Sequence, residues 1–260
     1  MISLQQLNVL PASERDRRYL SLVPPALCHR FGWDPAACLD PAGRSLARVE
    51  VTATPPSVQI SITHTPEAPD PVFFLRLEET RYGNLQIRFI ILSDPEGPRF
   101  GVDLDDDGSM TGLGVRSRNI REEERAMRAG LAPGQVRPGI RMLRSALERI
   151  EAFAAHLGKN ALILEAFFYH NALLYERHGF GYLAGQDRLE AIHRDFLPGG
   201  SLSTRLGGSS PFRFRGAGES IRGRSWAIQD GILPLRWWPP MMYRPVGARL
   251  NVCTAPGIPF

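Results

Sequence analysis

Directly after the apolar run ALILE, 161–165, the chain places Asn171 four residues ahead of Tyr175 and closes the stretch with Gly179-Phe180. Residues four apart on a helix share a face, so an amide and a phenol would project together. The run before them reads as a buried strand. The end of a central strand and the start of the next helix form a crevice where ligands sit, and polar side chains are tolerated there when a ligand or the backbone satisfies them. His170 is of the type that serves as general base for an amine. Glu165, at the predicted strand end, and Glu122 to Glu124, in the charged run REEER, are alternative bases. Each residue also has a structural reading: Tyr175 as a packed core aromatic, Asn171 as a helix cap, His170 as a packing or surface histidine, and REEER as a solvated helix face.

The elements that must position these groups follow from periodicity. Residues 13–30 read as a helical entry, with Ser13 and Asp16 spaced as a capping box and Pro24-Pro25 interrupting it. FGWDPAACLDPAG, 31–43, is a loop. From 46 to 115 the pattern alternates: ARVEVTAT and SVQISITHT are divided by Pro55-Pro56, VFFLRLEET and LQIRFIILSD flank the turn Arg81-Tyr82-Gly83-Asn84, and RFGVDLD runs into a further turn. An antiparallel meander with one face on a core is expected. NIREEERAMRAG, 119–130, is a helix with Asn119 as its cap and Gly130 at its end. IRMLRSALERIEAFAAHLG puts Ile140, Leu143, Leu147, Ile150, Ala154 and Leu157 on one helical face. A strand at ALILEAF, a short helix at NALLYERHGF, the strand GYLAG and a helix over 186–197 follow. After Pro198 periodicity fades into a segment rich in Pro, Gly and Arg, whose Trp226, Trp237, Trp238 and Tyr243 argue for an irregular but packed extension that wraps the core or a second subunit.

The stretch LILEAFFYHNALLYERHGFGYL resembles the carboxy-terminal half of the GNAT acyltransferases: an apolar strand at Leu162 to Leu164, Asn171, Tyr175, then Gly179-Phe180 and Tyr182. The resemblance implies an α+β fold, a mixed and largely antiparallel sheet flanked by helices, spanning 46–197 between an N-terminal helical and loop segment, 1–45, and the extension, 198–260. It implies acetyl-CoA or another acyl-CoA as co-substrate and a primary amine as acceptor, with Asn171 contacting the pantetheine arm and Tyr175 protonating the departing thiolate. A phenol suffices as acid because a thiolate leaving group needs only a positioned proton donor. The family's pyrophosphate loop, Arg/Gln-x-x-Gly-x-Gly/Ala, corresponds to GQVRPGIRML. Gly139 and Ile140 fit that pattern. Val136 replaces its first residue, Arg141 replaces its second small residue, and Pro138 removes an N–H donor. Gln135, Arg137 and Arg141 could still hold phosphate at the amino end of the long helix, where the dipole favours anions. The alternative is a non-catalytic binding or structural protein on the same fold, with no CoA bound and its crevice closed by tail side chains such as Trp237 or Trp238.

Composition narrows the remaining classes. At 260 residues and 43% hydrophobic the chain can bury a sizeable core. The absence of an apolar run long enough to span a bilayer, and of a basic flank followed by a leader core, points to a cytoplasmic protein without a membrane partner. The net charge of +4 is diluted over the chain, and nucleic acid is not an expected partner. Lys159 is the only lysine, so a Schiff base would have to come from it. Cys28, Cys38 and Cys253 lack ligand spacing and read as small buried hydrophobes. No metal is expected; DLDDDG, 103–108, opens like a calcium loop, but Gly114 stands where the closing Glu belongs, and a hairpin turn is the stronger reading. A P-loop, dinucleotide fingerprint or serine nucleophile elbow is missing.

Overall fold

In the computed structural model of the chain, residues 3–114, 116–208 and 210–260 are described. Of the amino-terminal stretch read for a leader, Met1 and Ile2 therefore lie outside the described residues, as does Val115 at the end of the alternating region. The fold is α+β. Strands β1 (Ala47–Ala53), β2 (Pro56–Thr63), β3 (Pro71–Glu79), β4 (Leu85–Leu92), β5 (Ala161–Glu165), β6 (Gly181–Ala184) and β7 (Met241–Pro245) form a mostly antiparallel sheet in the order β1-β2-β3-β4-β5-β7-β6. Among the described residues no helix is long and apolar enough to cross a membrane.

The chain divides into two compact units, and the first comprises 1–97, 139–164 and 243–248. The expected meander is present there as β1 to β4. Val58, Ile60 and Ile62 alternate into the core, and the turn between β3 and β4 closes through Gly83 N–H to Thr80 O (2.9 Å) with Gly83 left-handed. Arg76 of β3 pairs with Phe89 and Leu77 with Ile87, so β4 carries one extra residue, Arg88, at a bulge. An extra residue bends its strand and raises the local twist. The parallel pairing of β4 with β5 runs from Leu85↔Leu162 to Ile87↔Leu164 and stops at that bulge, while β4 continues to Leu92. Helix α5 (Leu143–His156) buries Leu147, Ile150, Phe153 and Ala154, and its Phe153 ring meets Tyr19 of α2 (Ala12–Leu20) at 6.0 Å. Lys159 is nearly buried against Glu79 (2.5 Å), whose other oxygen accepts the Leu4 N–H (2.8 Å).

Three local readings need correction here. Pro11, not Ser13, stands at the N-cap of α2, so the Ser13–Asp16 pair lies inside the helix; the capping box forms instead between Ser3 and Gln6 on α1 (Leu4–Asn8). Helix α5 starts at Leu143 rather than Ile140, because Arg141 is left-handed (φ 60°) and Gly139 is bridged to Ser93. The helical entry read over 13–30 is two helices: α2 already ends at Leu20 with Ser21 as its C-cap, and α3 (Pro25–Phe31) starts after Pro24, its N-cap, with Pro25 in its first turn.

The second unit comprises 98–138, 165–242 and 249–260. RFGVDLD is not a strand. Its alternation is used differently: Phe100 and Val102 drop into a small core with Ala126, Leu131, Phe212 and Trp226, and only the bridge Leu104↔Met110 flanks the DLDDDG turn. Helix α4 (Ile120–Arg128) is capped by Asn119, which accepts the Glu122 N–H (3.2 Å). Helices α6 (Tyr169–Glu176) and α7 (Gln186–Phe196) follow β5 and β6. The segment after Pro198 is more regular than its composition suggests: β7 and α8 (Ile221–Gln229) lie within it. Helix α8 is buried on nearly every side; Ser220 caps it by accepting the Gly223 N–H (3.0 Å), and a Cβ at Gly223 would stand 2.5 Å from Ala217 O. Trp226 stacks on Phe212 at 5.2 Å and donates its indole N–H to Leu131 O (2.8 Å).

Candidate functional site

Helix α6 carries three of the expected site residues. It begins at Tyr169, two residues before Asn171, and Phe168 is its N-cap without a side-chain bond. Asn171 therefore does not cap the helix; it sits half-buried in the first turn, on the same face as Tyr175. Tyr175 is buried against Phe180 (5.4 Å between rings). Burial raises its hydroxyl pKa above the ordinary phenol value and so keeps the proton on oxygen.

His170 is buried on a different face of the same helix. Its Nδ1 lies 2.9 Å from Ser225 Oγ of α8, its ring stacks on Phe168 at 5.6 Å, and Phe260 meets it edge-on at 6.5 Å. Burial first, and the Arg222 guanidinium second, pull its pKa from 6.5 to about 3. An imidazole held neutral in this way takes up a proton reluctantly near neutral pH. Glu165 is half-buried at the end of β5.

The charged run on α4 is committed elsewhere. Glu122 accepts the Gly101 N–H (2.9 Å) and pairs with Arg125, Glu124 pairs with Arg128, and buried Glu123 pairs with Arg118. The Gly101 N–H, ahead of the Arg125 charge, holds the Glu122 carboxyl below its usual value.

The expected phosphate ligands fall into two groups. Gln135 and Arg137 belong to the second unit, where a Cβ on left-handed Gly134 would lie 2.5 Å from the Phe168 ring, so their loop packs directly on the start of α6. Gln135 folds its amide back to accept the Ala132 N–H (2.7 Å). Gly139 and Arg141 belong to the first unit, both exposed and immediately ahead of α5. Ile140 donates its N–H to Leu92 O (3.2 Å), which ties this loop to the end of β4. Met142 is the N-cap of α5 without a side-chain bond, and no acidic residue occupies its first turn. The left-handed φ of Arg141 (60°) is a conformation that glycine adopts freely and side-chain-bearing residues rarely do.

Residues that the sequence did not single out surround α6. Ser225 fixes the His170 ring. Buried Glu176 accepts from Tyr182 (2.5 Å) and from the Thr254 hydroxyl (2.6 Å) and N–H (3.2 Å), and burial raises its pKa despite these bonds. Arg224, also buried, donates to Gly218 O (2.7 Å) and lies 3.0 Å from His193. No local pattern marks Ser225, which lies 55 residues from its partner His170. Trp237 donates its indole N–H to Phe167 O (2.7 Å), and Trp238 stays half exposed beside Gly185. Lys159, engaged with Glu79, is not placed for a Schiff base. Among the described residues no group of acidic, His or Cys side chains is arranged to hold a metal ion.

No family model, curated protein or solved structure matches the chain.

Proposed function

We propose that the protein is a GNAT-like acyltransferase that moves an acyl group, acetyl in the simplest case, from CoA to a primary amine. The observation that carries this reading is the short parallel pairing of β4 with β5, three residues from Leu85 to Ile87, with β4 continuing past the Arg88 bulge to Leu92 while β5 ends at Glu165. The stretch of β4 that outruns its parallel partner would offer backbone amides to an extended ligand such as pantetheine, which itself carries amides. The uncapped start of α5, preceded by exposed Gly139 and left-handed Arg141, supports a phosphate role for that turn, since its first N–H groups need acceptors. Taken by itself, the second unit carries the other residues that the GNAT resemblance names, Gln135 and Arg137 for phosphate and Asn171 for pantetheine.

The chemistry asked of the side chains is modest. The amine nitrogen attacks the thioester carbonyl, the C–S bond breaks, and Tyr175 gives its hydroxyl proton to the leaving thiolate. Glu165 suits the removal of the amine proton better than His170, whose imidazole is bonded to Ser225 and depressed to about 3. Replacing Tyr175 by Phe should lower turnover about 100-fold, within the usual range for a positioned acid, with CoA affinity unchanged. Equal turnover in the variant removes that role.

One observation favours the second reading, a binding or structural protein on this scaffold. Trp237 covers the backbone just beyond β5 through its bond to Phe167 O and its edge contact with Tyr169 at 6.3 Å. If this contact occludes ligand, replacing Trp237 by Ala should create CoA binding that the parent chain lacks.

A further inference from the structure

We propose that the second unit carries a homodimer surface, on which the Trp238 ring of one copy seats in the cleft beside β6 and α7 of another. Strand β6 stands at the edge of the sheet, the position from which a sheet most readily takes up a further chain. Leu183 and Ala184 on this strand are exposed, Leu183 by 53%. Alongside them lies an open cleft of about 410 Å³, lined by residues 182–187 and by Glu190.

The projecting ring comes from the segment LRWWPP, in which Trp238 is 50% exposed and Leu235 74%. The backbone beneath it is braced. Trp237 donates to Phe167 O, and Arg188 of α7 donates to Arg236 O (2.6 Å) while its guanidinium lies over the Trp237 ring at 5.9 Å. Trp238 is thereby held at the rim of the cleft: a Cβ on left-handed Gly185, a lining residue, would stand 3.4 Å from its ring. An aromatic ring on a backbone already fixed loses little freedom when a partner covers it, and tryptophan and arginine are the side chains that most often anchor interfaces.

Charge selects a second copy as the occupant. Arg236 is exposed beside the ring, Asp187 and Glu190 line the cleft, and among the described residues none of the three is in an ion pair. Glu190 accepts the neutral Gln186 amide (3.0 Å). A basic residue two positions before the projecting ring and two carboxylates around the cleft make the surface complementary to itself. A two-fold axis that seats each Trp238 in the other copy's cleft brings each Arg236 toward the other's Asp187 and Glu190, so that both contacts form twice. The Trp238 indole N–H, which has no acceptor among the described residues, gains a carboxylate there, as a tryptophan covered on binding requires.

Cys253 is exposed, contrary to its expected burial, and is replaced by Ser throughout so that it cannot link chains. The test is sedimentation equilibrium of the Cys253→Ser protein across the micromolar range, where a dimer is expected. On that background Arg236→Glu, and separately Asp187→Arg with Glu190→Arg, set like charges against each other across the axis, and each protein should sediment as a monomer with an unchanged circular dichroism spectrum. Mixed in equal amounts, the two should recover the dimer, because each supplies the charge that the other now needs. A folded parent that stays monomeric would overturn the proposal and leave the cleft to a small cation or a different protein. Variants that still dimerise alone, or a mixture that stays monomeric, would overturn it equally. The result is independent of whether CoA binds.

Discussion

His170 gives stability a pH dependence whose size follows from its surroundings. In the folded chain burial and Arg222 pull its pKa to about 3, while in the unfolded chain it returns to 6.5. Between these values the unfolded chain binds the extra proton, so stability falls as pH drops through 6.5 and continues to fall toward about 3. Protonating an unfolded histidine at about pH 5 is worth roughly 2 kcal/mol, against roughly 0.1 at about pH 7.5. Replacing His170 by Asn keeps a polar atom near the Nδ1 position for Ser225 and removes the titration. Packing losses in the variant are common to both pH values. Titrations of other groups, including Glu176 with its raised pKa, are common to both proteins, so the double difference isolates His170. Urea unfolding of the two proteins at about pH 5 and about pH 7.5 should show the parent losing about 2 kcal/mol more than the variant on acidification. Equal losses would mean that the imidazole is not held neutral in the fold.

Other expectations concern the two cores and the acid. Replacing Trp226 by Ala removes the Phe212 stack and leaves Leu131 O without its donor, and should destabilise the second unit by about 3–5 kcal/mol in chemical unfolding. Replacing Lys159 by Met leaves Glu79 nearly buried beside an apolar chain and should cost about 3 kcal/mol, and adding Glu79→Gln should recover part of it. On the proposed acyltransferase reading, the Tyr175→Phe protein should bind CoA like the parent and turn over about 100-fold more slowly in a steady-state assay with a primary amine.

Much of the architecture was legible because single segments specify it. Alternation and turn residues marked β1 to β4, Asn119 and Gly130 bracketed α4, and the apolar face from Leu147 to Ala154 marked α5. The misreadings share a cause, which is tertiary context. RFGVDLD alternates like a strand, yet its apolar residues meet α8 and α4 rather than a neighbouring strand. MMYRP lies between prolines and becomes β7 because Asn160 O accepts the Val246 N–H (2.9 Å) and holds the segment beside β5. Helix α8 hides in an arginine- and glycine-rich stretch because it is buried on most sides and shows no amphipathic period. In the candidate site, the spacing of Asn171 and Tyr175 could be read directly. The partnership of His170 with Ser225 could not, since those residues are 55 apart in the chain. Nor did any local pattern announce that Arg141 adopts the backbone conformation of a glycine.

The reading as an acyltransferase stands most directly on CoA recognition. Isothermal titration of folded protein with CoA and acetyl-CoA at moderate salt should give micromolar, one-to-one binding that weakens as salt screens the phosphates. A folded chain that takes up no heat from either ligand would contradict the assignment and leave β4, β5 and α6 as a scaffold without this chemistry.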